Sequence, residues 1–181
     1  MLKSLIHRLR LRVHDMATIK TLCEKAEEYA LKSGEDMPGE EHFLLSAIAL
    51  PDGTARRVFE RINVDTDMLK KAIEKQHSEA LQHIGIDPSL LNLNEDDVEI
   101  RRPKRNLYQS KPSAQALMKE LVERRRKDRN IPLLGLHVVE VFPTKDLGVV
   151  ARSLKIMEVD RAALASAIEG ELQSYKSQNT I

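Results

Sequence analysis

Apolar residues along this chain recur at spacings of three and four, the period that stacks side chains on one face of an α-helix. Ile19, Leu22, Cys23, Ala26 and Ala30 predict a first helix, with Asp15 as its N-cap. Glu40 to Leu50 is an almost unbroken apolar run held between Pro38-Gly39 and Pro51-Asp52, which predicts a short helix buried at the centre of a core. Val58, Phe59 and Ile62 outline a third helix, and Asp65 is the cap of a fourth that carries Leu69, Ala72 and Ile73.

The same plan returns 95 residues later without a gap. Ala114, Leu117, Met118 and Leu121 repeat the first helix, with Ser110 as N-cap and Pro112 in the first turn. Val138, Val139 and Phe142 repeat the second, which Pro143 ends early; Val150 and Leu154, then Leu164, Ile168 and Leu172, repeat the third and fourth. Identities run through both copies, among them His42 with His137, Gly53 with Gly148, Arg57 with Arg152, and Val64-Asp65 with Val159-Asp160. Such self-similarity predicts an internal duplication: two four-helix repeats at 16–84 and 110–176. A basic amphipathic extension, 1–15, precedes them, a linker at 85–109 joins them, and a tail, 177–181, follows. The linker runs from acidic Asn94-Glu95-Asp96-Asp97 to basic Arg101-Arg102-Pro103-Lys104-Arg105.

Composition supports helices. Hydrophobic residues make up 41% of the 181, but aromatics only 3%, with no Trp, so the core is aliphatic and unlike that of a sandwich or barrel. The 29 basic and 28 acidic side chains nearly cancel, against broad electrostatic binding to nucleic acid. A single cysteine, Cys23, allows no internal disulfide and fits a reducing compartment, so the cytoplasm is expected. No run reaches the roughly 18 apolar residues of a membrane span, and no secretory signal opens the chain, so the whole chain is expected to be the mature one.

At the N-terminus Leu2, Leu5, Ile6, Leu9 and Val13 alternate with Lys3, Arg8, Arg10 and Arg12. This helix either packs on its own domain or lies on a membrane surface or in a partner's groove. The basic runs at Arg101–Arg105 and Arg124–Lys127 carry no interleaved aromatics for base stacking and are expected to be solvated faces.

Several segments resemble the N-terminal domain of Clp-type unfoldases. They are Ala26 and Ala30; Gly39-Glu40-Glu41-His42-Phe43-Leu44-Leu45; Gly53-Thr54-Ala55; and Asn63-Val64-Asp65, followed in the second copy by Lys111-Pro112-Ser113-Ala114 and Gly135-Leu136-His137-Val138-Val139. The resemblance covers about residues 15–175 and implies an all-α fold of two pseudo-twofold-related repeats. In Clp relatives that recognise phosphorylated arginine, acidic residues in both copies match the guanidinium charge. Here Glu41 keeps that position while Leu136 replaces its counterpart, and the opening threonines are Met16 and Lys111, so a two-site reading is at best halved. The family's turn glycine is Asn63 in one copy and Glu158 in the other, and Asn tolerates the left-handed conformation better.

None of the seven glycines begins or ends a phosphate-cradling loop, so no ATPase mechanism of that kind is available in these residues. No nucleophile has a base at useful spacing, Cys23 sits on an apolar helix face, and no histidine stands in a zinc-binding pattern. Glu41 and His42 are expected to point to different sides. No enzyme, metal or cofactor is predicted. The expected function is a binding module for protein or peptide clients, or for a Clp unfoldase or adaptor, along the seam between copies. Its candidate residues are Glu41, His42, Met16, Lys111, Leu136 and His137. For Glu41 and His42 the alternative is a purely structural role in capping their helix. For the whole chain the alternative is a regulatory or docking partner of a Clp unfoldase, or a self-associating structural protein. Sequence leaves the oligomeric state open.

Overall fold

The computed structural model describes residues 2–83, 109–127 and 129–179, and these form eight helices and no strand. They are α1 (Leu2–Lys32), α2 (Glu40–Ile48), α3 (Thr54–Arg61), α4 (Thr66–His83), α5 (Pro112–Lys127), α6 (Gly135–Val139), α7 (Val149–Ile156) and α8 (Arg161–Asn179). The linker predicted at 85–109 lies, except for Gln109, outside the described residues. The helix starts at 40, 54 and 66 recur at 135, 149 and 161, the offset read from the apolar pattern.

Helices α2 and α6 form the centre. Every residue of both is buried, and α2 touches α1, α3, α4, α5, α6 and α7. Gly135 makes the α2–α6 contact close: a Cβ there would meet the Ala47 carbonyl oxygen at 2.8 Å and the Ala55 Cβ at 3.1 Å. Around this centre the outer helices pack crosswise, α3 along α8 and α4 along α7, so each half of the chain completes the core of the other. The two crossings carry related polar ties. Arg57 of α3 donates to buried Glu171 of α8, and Arg152 of α7 donates to Gln76 of α4, each residue 95 positions from its counterpart. Leu22, Leu44, Phe59, Leu117, Leu136, Phe142 and Leu164 are almost fully enclosed in one continuous core. Full burial of a side chain of this size contributes about 1.5–3 kcal/mol.

The turns explain where helices stop. Asn63 and Glu158 adopt φ of 55° and 54°, and in each case the next residue's N–H reaches back to Phe59 or Leu154, closing a Schellman turn. Asp65 and Asp160 cap α4 and α8 by accepting from the N–H groups of Asp67 and Ala162. Helix α6 ends at Val139, shorter than α2, ahead of Pro143, which lacks the N–H a further turn would need.

Three expectations are corrected. Asp15 caps no helix: α1 runs unbroken through it, so the basic extension and the first helix of the repeat are one rod, and the Asp15 carboxylate instead accepts from the Leu133 N–H at 2.6 Å. Ser110 is not the cap of α5 either, because the first helical carbonyl is that of Lys111, which accepts from Ala114 and Gln115, and Pro112 occupies the first turn. The segment given to a terminal tail is helical as far as Asn179.

Candidate functional site

The seam between the halves lies where α5 begins beside the start of α2. The Lys111 N–H donates to the Pro38 carbonyl, fixing α5 against the Pro38-Gly39 turn. The Glu41 side chain folds back over Gly39 so closely that a Cβ at residue 39 would collide with its Oε1. Glu41 is 1% exposed, and Lys111 Nζ lies 3.4 Å from its Oε1 while pairing with Glu35. The chain therefore supplies its own cation to the carboxylate that the sequence offered to a partner.

His42 is equally occupied. Its Nδ1 accepts from the Gly39 N–H at 2.9 Å, and its Nε2 lies 3.0 Å from Ser33 Oγ and 3.7 Å from Glu35 Oε2. With Nδ1 accepting, Nε2 carries the proton and donates. The expectation that Glu41 and His42 diverge is wrong: His42 Nδ1 and Glu41 Oε1 are 3.5 Å apart, because the fold of Glu41 over Gly39 brings it back to the ring. Glu35, Glu41 and His42 thus place donor atoms within 4.8 Å of one another. Lys111 already stands against both carboxylates and both ring nitrogens have partners, so this donor set does not suit a metal ion.

In the second half, His137 repeats the histidine's role, its Nδ1 accepting from the Leu134 N–H at 3.0 Å. Leu136 is fully buried, and the free N–H groups at the start of α6 are taken by Asp52 and Thr54 of the first half. Met16 lies apart from the seam, 72% exposed, at the end of a stripe with Ile6, Leu9 and Val13 on α1. The six candidates therefore separate: Glu41, His42 and Lys111 come together, Leu136 and His137 sit at the mirrored helix start, and Met16 stands on the outer face of α1.

A second feature joins two segments that the sequence treated separately. Between the first half of α1 and the second half of α5 runs a cleft of about 470 Å³. Leu11, Ile19, Met118, Leu121 and Leu133 line its apolar part. Arg8, Arg12, Arg125, Arg126 and Arg129 line its charged part. Asp15 is the single acid among the lining residues, and it is consumed by Arg125, at 3.0 Å, and by the Leu133 N–H. The expectation of a solvated face for Arg124–Lys127 holds for Arg126 but not for Arg124 and Arg125, which are half-buried. Arg124 pairs with Glu120 and Glu140, which hold its guanidinium above its ordinary pKa although burial works against the charge.

The valley continues into a further cleft of about 420 Å³, which shares Ile19 and Met118 with the first and reaches Cys23, Glu27, Pro38 and Phe43. Burial pushes the Cys23 thiol up, and the Glu27 and Glu24 charges add to the shift. A raised thiol is a poor nucleophile. Burial likewise raises the Glu27 carboxyl, with Glu24 adding to it.

Residues 17–84 match the family of the Clp repeat (R) N-terminal domain. The matched span takes in α4, α2 and α3 whole and α1 from residue 17 onward, and no ATPase module is matched in the chain. Among curated proteins none matches this sequence. Over this span, less than half of its length, the chain is similar to the Clp repeat, a domain type that takes part in the protein interactions of the Clp family. The first sixteen residues, which carry Arg8 and Arg12, lie before the matched repeat. Among the described residues no helix is long and apolar enough to cross a membrane.

Proposed function

We propose that this protein is a non-catalytic protein- or peptide-binding module of the Clp N-domain type, recognising substrates or adaptors in protein quality control in the cytoplasm. The observation that carries the reading is the α1/α5 valley: a concave, apolar-lined surface with charged residues converging on it. The Glu41 seam supports it less, since Lys111 occupies the carboxylate from within the chain. Burial raises the Cys23 thiol beside the valley, which weakens it as a nucleophile.

A second reading, a regulatory or docking protein that engages an unfoldase or another copy, draws on the exposed Ile6, Leu9, Val13 and Met16. Their spacing of three, four and three forms a seam suited to another helix.

Affinity capture from lysate with the intact chain, Val122→Glu and Leu9→Glu/Val13→Glu separates the two. Val122 lines the valley and is 46% exposed, so a carboxylate there blocks the floor without breaking the core. The binding-module reading expects Val122→Glu to abolish capture and the stripe variant to keep it. The opposite pattern contradicts the first reading and supports the second.

A further inference from the structure

We infer that the α1/α5 cleft binds an acidic amphipathic peptide segment of a partner protein, with the partner's carboxylates on the arginine rim and its aliphatic side chains on the floor. The inference rests on the protein-binding reading and deepens it by naming the ligand chemistry. Its basis is a charge imbalance confined to one concave surface. The chain as a whole carries a formal charge of +1, yet five arginines converge on this cleft against one acid, and that acid is already neutralised by Arg125. Among the described residues Arg8, Arg12, Arg126 and Arg129 have no ion pair or side-chain hydrogen bond, and all four are exposed. Four uncommitted guanidinium groups around an apolar floor form a field that concentrates anions, and each can take a carboxylate with two parallel hydrogen bonds.

The floor decides which anion. Half-buried Leu11, Ile19 and Met118 and exposed Val122 supply aliphatic surface over the buried Leu121 and Leu133, with no aromatic face among the lining residues, so nucleic-acid bases have nothing to stack on. The floor is also recessed between two helices. Ile6, Leu9, Val13 and Met16, the exposed apolar stripe that a planar bilayer would take up, are not among the residues lining the cleft. A peptide with Leu or Ile on one side and Glu or Asp on the other satisfies both parts of the cleft at once. A second copy paired symmetrically through the same cleft is a poorer occupant, because it would set its own arginines against Arg8 and Arg12. In α1 the rim arginines, Arg8 and Arg12, stand one turn apart, matching acidic residues at the same spacing in a helical ligand.

The test is fluorescence anisotropy with a labelled 16-residue helical peptide bearing Leu along one face and Glu on the other. The same peptide with Gln for Glu is the comparison, and the full chain is used throughout. The inference expects the acidic peptide to bind, the Gln peptide to bind roughly tenfold more weakly, and the difference to shrink as salt rises. Arg12→Glu/Arg126→Glu should abolish the preference for the acidic peptide, while Arg56→Glu/Lys155→Glu, with the same charge change on exposed positions outside the cleft, should keep it. Circular dichroism melts of the two double variants confirm that both remain folded. Equal binding of the Glu and Gln peptides, or retention of the preference in Arg12→Glu/Arg126→Glu, overturns the inference.

Four other occupants are also read. Arginine-dependent binding of phosphatidylglycerol vesicles or of a single-stranded oligonucleotide in place of the peptide overturns the assignment, as does a concentration-dependent dimer lost in Arg12→Glu/Arg126→Glu. If the peptide binds only after Glu95, Asp96, Asp97 and Glu99 are changed to their amides, the occupant is the chain's own acidic stretch and the partner assignment fails. Loss of lysate capture in Val122→Glu, with no acidic preference here, would leave the binding-module reading standing and remove only the ligand class.

Discussion

Glu158 holds a φ of 54°, a left-handed conformation in which an ordinary side chain crowds the following carbonyl. The turn needs that conformation, because it lets the Val159 N–H reach the Leu154 carbonyl at 2.9 Å and close α7. Glu158→Gly should therefore raise stability by about 1 kcal/mol, read as a higher urea midpoint with unchanged slope; an unchanged or lower midpoint would show that the turn is unstrained. The Asn63 counterpart should gain less, since Asn enters this region more readily. This pair was legible only through the resemblance, which implies a turn glycine ahead of the Val-Asp of each copy. Glu41 was legible only in part. Its position at the start of α2 followed from the run after Pro38-Gly39, but its partner, Lys111, stands 70 residues away and only folding brings them together. Asp15 misled for the opposite reason: a carboxylate ahead of an apolar face looks like a cap, whereas here it pins Leu133 and Arg125 from the middle of a helix.

Between elements, the crossing of α3 and α8 is tied by Glu171, 3% exposed, which accepts from Arg57 Nε at 2.6 Å and Arg61 Nε at 3.0 Å. The two arginines are nearly half-exposed, so the sides of this bridge are unequal. Arg57→Met/Arg61→Met leaves a buried carboxylate without a counter-charge and should cost about 3–5 kcal/mol. Glu171→Gln leaves arginines that water can resolvate and should cost about 1–2 kcal/mol, the scale of one lost charge-assisted bond. Urea titrations of the two variants check the order, and a larger loss in Glu171→Gln would contradict the burial argument. Sequence revealed the longer helices well, since periods of three and four survive in them, and α2 by its unbroken apolar run; α6 is shorter than its pattern, which reached Phe142. It did not reveal that α3 packs on α8 and α4 on α7. Crosswise pairing depends on which apolar faces meet, and the offset of 95 residues says only that both halves have the same faces.

At the scale of the whole molecule, the all-helical fold and the Clp repeat at 17–84 were readable from periodicity and a handful of motif residues. The α1/α5 valley was not. Its arginines come from residues 8–12 and 125–129, each an unremarkable basic run, and they gain meaning only when α1 extends unbroken past Asp15 and lies beside α5. The seam singled out by motif turned out to be satisfied from within, whereas the valley presents unpaired charge beside uncovered aliphatic surface. Hydrogen-exchange mass spectrometry of the intact chain, with and without the partner it captures from lysate, tests whether binding runs through the valley. Binding there should slow exchange in residues 8–19 and 118–133 and leave α3 and α8 unchanged. Slowed exchange confined to the Lys111–Glu41 seam, or to α3 and α8, would contradict it.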